Sequence, residues 1–409
     1  MLDLKFIYEN KDKIKEACLQ KGAEVKVVDE VLNLDKQRKE LLSVVEELRQ
    51  GRNKLGKDQL KKGKEIKLKL KKLEPKLREV EEKLNTFLLY IPNLPAADVP
   101  KGDKPKVVKT WGKKPRFNYP IKDHISLGTD LDLIDFKRGS KVGGFRSYFL
   151  KNELTLIHLG LIDWVFKKAI KKGFLPFCAP VVLKKEAFFS TGHFPWGEKE
   201  AYKLDNDLYL AGTSEVPMVS YHAGETLELK DLPLKYCAFS PCFRREIGNY
   251  GKDTKGIYRL HEFLKIELIV ICEADKDKSE KWLEELRDIS EEILKELKLP
   301  FRVLLMPTGD MGEPQYKKYD LEAWMPGRKA YGELMSDSNM LDFQSRRAKI
   351  KYRNEKEESV FVYTLNNTAI SSPRTLIAIL ENYQQKDGSV KVPKVLQKYV
   401  GKKVIKRKF

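Results

Sequence analysis

The chain has 409 residues, 41% hydrophobic and 34% charged, which supplies apolar material for two or three domains with real cores and excludes an unfolded polyelectrolyte. A formal charge of +19 implies a polyanionic partner, nucleic acid first, because such a surplus repels itself unless phosphates neutralise it. Five scattered cysteines exclude a disulfide framework, no apolar run approaches the roughly 18 residues of a membrane span, and the start is charged from Asp3 and Lys5 onward, so a soluble cytoplasmic chain with no membrane partner is expected.

Apolar residues at 66, 70, 73, 77, 80, 84, 87 and 91 alternate steps of four and three, the seam of a coiled coil. Upstream, Leu34, Leu41, Leu48 and Leu55 repeat every seven with Val45 between them. Two such helices separated by Gly51, Gly56 and Gly63 read as an antiparallel hairpin within a first domain, residues 1–95, each arm reaching on the order of 40 Å at about 1.5 Å per residue. Pro75 inside the second series should kink or interrupt that helix. Between Arg52 and Arg78 twelve Lys or Arg face three acids. A one-signed run at a hairpin tip predicts contact with an RNA backbone through Arg49, Arg52, Lys54, Lys57, Lys61, Lys62, Lys64, Lys67 and Lys71.

Six prolines from Pro92 to Pro120, interspersed with Lys and Gly, mark residues 96–115 as a stiff linker. The remainder, 116–409, mixes strand runs at Leu208 to Leu210, Ile266 to Cys272, Val303 to Met306 and Val360 to Leu365 with amphipathic helices, and ends in a basic tail from Lys391. Trp282, Leu283, Leu286, Ile289, Ile293, Leu294 and Leu297 keep a 3.6-residue period. Hairpin-linked strands with helices outside them fit an antiparallel α+β core.

Tyr236 to Phe243 and Ile266 to Cys272 read as two strands, joined by a long loop carrying Gly248, Gly251 and Gly256. Arg244 follows the first strand. Ser372-Pro373 reads as an N-cap and first helical residue, which puts Arg374 in a first turn where orphan N–H groups favour phosphate. Carboxylate attack on a nucleotide α-phosphate concentrates negative charge, so two guanidinium forks set among acids are the chemistry of amino-acid activation by ATP.

The motifs that carry a family likeness run in order: MLDLKFIYEN at the start, IPNLP at 91–95, Gly212-Thr213-Ser214-Glu215-Val216-Pro217, Phe243 to Glu267, Tyr331-Gly332-Glu333-Leu334-Met335-Ser336, Ser338-Asn339, Asp342-Phe343-Gln344, Arg346-Arg347, LNNT, and PRTLIAILENYQ. Over residues 1 to about 385 the chain resembles the bacterial-type seryl-tRNA synthetases, class II aminoacyl-tRNA synthetases. The resemblance implies a six- to seven-stranded antiparallel catalytic sheet, an N-terminal antiparallel coiled-coil arm that grips the long variable arm of serine tRNA, a homodimer, and a serine–tRNA ligase forming seryl-adenylate. Whether selenocysteine tRNA is charged too stays open.

Matched position by position, the resemblance assigns serine to Thr213, Ser214, Glu215, Arg244, Glu267, Asn366 and Thr368. It assigns ATP to Arg244, Arg245, Glu246, Leu260, His261, Glu262, Phe263, Glu333, Leu334, Met335, Ser336 and Arg374. Within that set Arg244 meets the serine carboxylate and α-phosphate, Glu246 reads adenine, Phe263 stacks on the ring, Arg374 holds the γ-phosphate, and Glu333 with Ser336 receives Mg²⁺ carried by the phosphates. Arg244 and Arg374 are the catalytic pair. Cys237 and Cys242, without a nearby His, are too weak a set for zinc, and none is expected. Hydrogen bonding to the substrate hydroxyl through Thr368 would reject alanine without an editing domain. Two other readings remain: a paralogue loading another small amino acid onto a carrier protein, which should lack the basic hairpin, and a non-catalytic RNA-binding relative, which should have lost an Arg or Glu of the site.

Overall fold

A computed structural model describes residues 1–56, 59–247 and 255–407, in two compact units, Met1–Leu94 and Pro95–Phe409. Lys57 of the basic run, Gly248 and Gly251 of the long loop, and the last two tail residues lie outside the described residues.

In the first unit, two short helices, Leu4–Glu9 and Lys11–Gln20, precede α1 (Lys26–Asn53) and α2 (Leu60–Leu88). The long pair meets along Leu41, Val45, Leu48 and Leu55 against Ile66, Leu70, Leu73 and Leu77, the expected seam. Two expectations need correcting. Gly51 and Gly63 do not separate the helices; they lie inside them, where a Cβ on Gly63 would come 3.6 Å from Leu55 Cδ1 and one on Gly51 would come 3.9 Å from Ile66 Cδ1. Nor does Pro75 interrupt α2, which continues through it as one helix. The ring sits on the exposed face, where water can take the carbonyl its missing N–H leaves unpaired.

The second unit is built on an eight-stranded sheet of β1 (Lys106–Trp111), β2 (Leu175–Cys178), β3 (Leu234–Phe243), β4 (Glu262–Cys272), β5 (Phe301–Leu305), β6 (Lys317–Met325), β7 (Ala330–Leu341) and β8 (Tyr363–Ser371), in the order β1-β5-β6-β7-β8-β4-β3-β2. Every neighbouring pair is antiparallel except β2 with β3 at one edge, so seven strands make the expected antiparallel sheet and β2 joins it in parallel as an eighth. The first edge strand comes from within 96–115: Lys106 to Trp111 pair with β5, so this stretch contributes sheet as well as connection. Its alternation is hidden because its side chains are mostly exposed.

Helices α3 (His124–Asp130), α4 (Asn152–Lys171), α5 (Lys276–Glu296) and α6 (Ser372–Tyr383) complete the frame. Leu283, Leu286, Ile289 and Ile293 of α5 join Leu154, Ile157 and Leu161 of α4 and Leu376, Ile377 and Leu380 of α6 in one core with Ile266, Leu268, Val270 and Cys272 of β4. At roughly 1.5–3 kcal/mol for each fully buried aliphatic side chain, this contact holds one face of the sheet rigid. The opposite face is apolar at one end, where Tyr236, Ala238, Ile269 and Ile271 pack with Met218, Val219 and Ile350, and polar beyond Glu267.

Replacing Pro75 by Ala restores a helical N–H at an exposed site and should stabilise α2 by about 1–3 kcal/mol. A rise in the thermal midpoint of the N-terminal unit, followed by circular dichroism, checks it; a fall would mean that the ring packs.

Candidate active site

Strand alternation decides which side chains can meet. On β4, Phe263, Lys265 and Glu267 share the polar face, while Ile266 and Leu268 enter the core. Across the sheet, Thr368 of β8 stands opposite Glu267, and Ser371 stands opposite Lys265. Thr368 and Ser371 are three apart and should face oppositely, but an irregularity between Thr368 and Ile370 inserts one residue and returns both to the same face. A second irregularity does the same on β7. Glu333 pairs with Glu322 and Ser336 with Asp320, with Leu334 as the extra residue, so Glu333 and Ser336 share a face.

Arg244, Glu246, Tyr258, Arg259, Leu260, Phe263, Lys265, Glu333, Leu334, Thr368, Ser371, Pro373 and Arg374 line one cavity of about 170 Å³. Arg374 lies in the first turn of α6, although the helix begins one residue earlier than expected: Ser371 is the N-cap, and the Ser372 hydroxyl bonds to His158 Nδ1 instead of capping. Arg374 Nη1 reaches Glu333 Oε2 at 3.0 Å, Nε donates to Tyr258 O at 3.2 Å, and the guanidinium sits 4.5 Å from the Tyr258 ring centre. Burial pushes the Glu333 carboxyl up, but Arg374, Lys318 and Arg244 outweigh it and hold the group below the usual range. Arg244 just follows β3; its Nε donates to Gly212 O at 3.2 Å, and its guanidinium lies 5.3 Å from the Phe263 ring. The returning end of the loop is docked by His124, whose Nε2 accepts the Ile257 N–H at 3.3 Å. Gly256, at φ +71°, is required there, since a Cβ would fall 2.0 Å from that nitrogen.

A buried knot of charge occupies the floor. Lys265 Nζ bonds to the Glu267 carboxylate and donates to Thr213 Oγ1 at 2.6 Å, with Thr368 Oγ1 at 3.5 Å. Thr213 Oγ1 lies 3.3 Å from Glu267 Oε2 and accepts the Glu215 N–H at 3.2 Å. Glu215 Oε1 accepts from Gln344 Nε2 at 2.6 Å, and Asn366 stands beside the same carboxylate. Burial raises both carboxyls; Lys265 opposes this most strongly at Glu267 and Gln344 most strongly at Glu215. Two carboxylates around one lysine can receive an ammonium group.

Some expected residues stand elsewhere. The Ser214 hydroxyl is buried and turns to Ala238 O at 3.5 Å, away from the cavity. Met335 lies in the hydrophobic core, and Arg245 is an exposed side chain whose backbone N–H donates to Glu200 O at 2.9 Å. The Glu246 carboxylate is engaged by Arg259 at 2.9 Å and Arg146 at 3.8 Å. His261, Glu262 and Phe263 border a second cavity of about 610 Å³, with Arg146, Tyr148, His158 and Tyr202. Cys237 pairs with Leu268 and Cys242 with Phe263, so the two thiols lie on opposite faces of β3 and cannot share a metal ion. Sequence reasoning missed Lys265, Gln344, His193 and Tyr258. Lys265 had a readable signal, two residues before Glu267 in a strand, whereas the others are placed only by tertiary contact.

On the arm, Arg49 is engaged with Glu74 at 2.8 Å. Arg52, Lys54, Lys61, Lys62, Lys64, Lys67 and Lys71 are exposed, and among the described residues none is ion-paired.

The family model for the seryl-tRNA synthetase N-terminal domain matches residues 1–95, and that for the tRNA synthetase class II core domain (G, H, P, S and T) matches residues 199–383. A serine–tRNA ligase from Kosmotoga olearia is 40% identical over 425 residues, covering 99% of this chain and 100% of the relative. Another, from Petrotoga mobilis, is 41% identical with the same coverage. Among solved structures, seryl-tRNA synthetase from Pyrococcus horikoshii complexed with ATP matches at a TM-score of 0.94 and 37% identity over 100% of both chains. Cytoplasmic serine-tRNA ligase from Naegleria fowleri in complex with AMP matches at 0.90 and 34%, over 100% of this chain and 99% of that one.

Lys265→Met removes the strongest influence lowering the Glu267 carboxyl, so its folded-state pKa rises further above the unfolded value. The folded state then holds a proton that the unfolded state releases, and stability must fall as pH rises. Thermal midpoints at pH 5.5 and 8 should show the variant's deficit, about 3–5 kcal/mol for a broken buried pair, larger at pH 8.

Proposed function

This chain belongs to the seryl-tRNA synthetases and is a serine–tRNA ligase; we propose that it divides the work between the cavity on the polar face of its sheet and the exposed cations of its helical arm. The observation that carries this reading is the convergence of Arg244, Arg374, Lys265, Thr368 and Glu333 on one cavity. Serine would lie with its ammonium toward Glu215, Glu267 and Thr213, its hydroxyl toward Thr368 and Asn366, and its carboxylate toward Arg244. That carboxylate attacks the ATP α-phosphate, a new C(O)–O–P linkage forms, and the bond to pyrophosphate breaks. The 3′-terminal ribose hydroxyl of tRNA then attacks the acyl carbon, its proton passes to the departing phosphate or to water, and AMP leaves.

Arg244 neutralises charge at phosphorus, and Arg374 holds the far phosphates. Phe263 offers a ring face for adenine, and Glu246 an acceptor for its amino group. Magnesium, arriving with ATP, would draw on the Glu333 carboxylate and Ser336 hydroxyl; Asp320 Oδ1, buried and without a hydrogen-bond partner among the described residues, adds an oxygen donor at the same place. Bound there, the ion would offset phosphate charge. Catalysis rests on positioning and charge neutralisation more than on a general base.

The exposed arm cations would follow RNA phosphates by position and shape, fitting the long variable arm of serine tRNA. A homodimer is proposed through α4, which exposes Leu156 and Leu159 opposite its core face, and the neighbouring edge strand β2, which exposes Leu175. Among the described residues no helix is long and apolar enough to cross a membrane, and a cytoplasmic site of action, as in the Naegleria fowleri relative, is proposed.

Pyrophosphate exchange measured with serine, alanine, glycine and threonine in parallel should be driven best by serine; preference for glycine or alanine would overturn the substrate. Arg244→Ala should lower serine-dependent exchange by at least roughly 10²–10³-fold. Deleting residues 52–78 should leave exchange intact while abolishing tRNA charging, and equal loss of both would refute the division of labour.

A further inference from the structure

His193, just after a short helix, Lys185–Thr191, has no role in the reaction described so far, yet its ring faces the carboxylate of Glu215. Three partners fix the floor beneath it. Gln344 Nε2 donates to Thr191 O at 3.0 Å as well as to Glu215 Oε1, and its own Oε1 accepts from Thr364 Oγ1 at 2.7 Å. The Glu215 carboxylate is therefore locked on one side, and its Oε2 lies 3.9 Å from His193 Nε2.

The proton pattern on His193 follows from its neighbour. Thr191 Oγ1 lies 3.3 Å from Phe188 O and 3.4 Å from Ala187 O, carbonyls that only accept and that offer the hydroxyl hydrogen a place to go. With the hydroxyl so turned, the ring donates the 2.8 Å contact between His193 Nδ1 and Thr191 Oγ1, and this is the tautomer that leaves a lone pair on Nε2. Burial first, then Arg244 and Lys265, push the imidazole down to about 4, which keeps it neutral at neutral pH. Two acceptors thus face each other across 3.9 Å, too far for a hydrogen bond and suited to one donor atom between them. The His193 side chain is 35% exposed, so a ligand can reach its ring.

We propose that His193 is a further amino-acid-binding residue, its Nε2 and Glu215 Oε2 together receiving the α-ammonium of the substrate. The proposal rests on the serine site described above, and it assigns the ammonium a neutral acceptor beside the carboxylates.

The test is serine-dependent pyrophosphate exchange by the full chain carrying His193→Phe or His193→Gln. His193→Phe should raise the serine KM roughly 10- to 100-fold, the worth of one charge-assisted hydrogen bond, with the ATP KM unchanged. His193→Gln, which keeps an acceptor, should recover most of that loss. Inhibition by glycerate, which has the hydroxyl and carboxylate but no ammonium, should be the same in wild type and His193→Phe. The proposal is overturned if the serine KM of His193→Phe stays within about twofold of wild type, if both variants lose equally, or if glycerate inhibition weakens in parallel. Should His193→Phe fail to fold, His193→Ala replaces it under the same criteria. Absence of serine-dependent exchange in the wild type would instead count against the serine site itself.

Discussion

Everything in the catalytic unit depends on keeping Lys265 and Glu267 buried together, two residues apart, on a strand that is otherwise largely apolar. An isolated charge at this depth would cost several kcal/mol, so the pair is tolerable only because Thr213 and Thr368 complete its hydrogen bonds and the surrounding backbone does not yield. That rigidity comes from the other face of the strand, where Ile266, Leu268 and Val270 are locked under α4, α5 and α6. The polar face is specific because the apolar face is solid.

A regular antiparallel sheet could not present this set of residues. Thr368 with Ser371, and Glu333 with Ser336, are each three apart, and an unbroken pleat would send one of each pair into the core. One inserted residue in each strand corrects the phase. Asn367, left on the helix side, is taken up there: its Nδ2 donates to Leu286 O at 3.0 Å and Ser290 Oγ at 2.7 Å and bonds to the buried Asp337. The irregularities are thus part of the site's construction, as bulges beside active sites commonly are.

This explains what could be read from sequence. The coiled-coil seam, the α5 stripe and the two strands flanking the long loop announce themselves through periodicity, because each buries a single face over many residues. The roles in the cavity came from family likeness, and Arg244, Glu246, Phe263, Glu333, Thr368 and Arg374 do meet. What stayed hidden breaks a period: two one-residue insertions, an edge strand with exposed side chains inside a Pro-rich stretch, a proline tolerated on a wet helix face, and an N-cap one residue upstream of Ser372. His193 and Gln344 were invisible for another reason. Gln344 reaches Thr191 and Glu215 across more than a hundred residues, and His193 faces Glu215 from a separate loop, so local pattern carries no record of either contact.

The surplus charge resolves into two chemically different populations. In the cavity three cations already have a carboxylate, Arg374 with Glu333, Lys265 with Glu267 and Arg259 with Glu246, while Arg244 is exposed and rests against Gly212 O and the Phe263 ring. Substrate binding there is an exchange of partners: phosphate taking Arg374 releases a carboxylate suited to a hard cation, and an ammonium entering beside Glu267 competes with Lys265. Affinity in such a site is a difference between two well-satisfied states, which favours selectivity over tightness. On the arm, Lys61, Lys62, Lys64, Lys67 and Lys71 have no carboxylate partner among the described residues and remain in water. Their contact with a polyanion gains chiefly from released counterions, which makes it strong, salt-sensitive and indifferent to base identity. A serine–tRNA ligase that reads tRNA by shape needs both kinds of charge, and the fold keeps them in separate units.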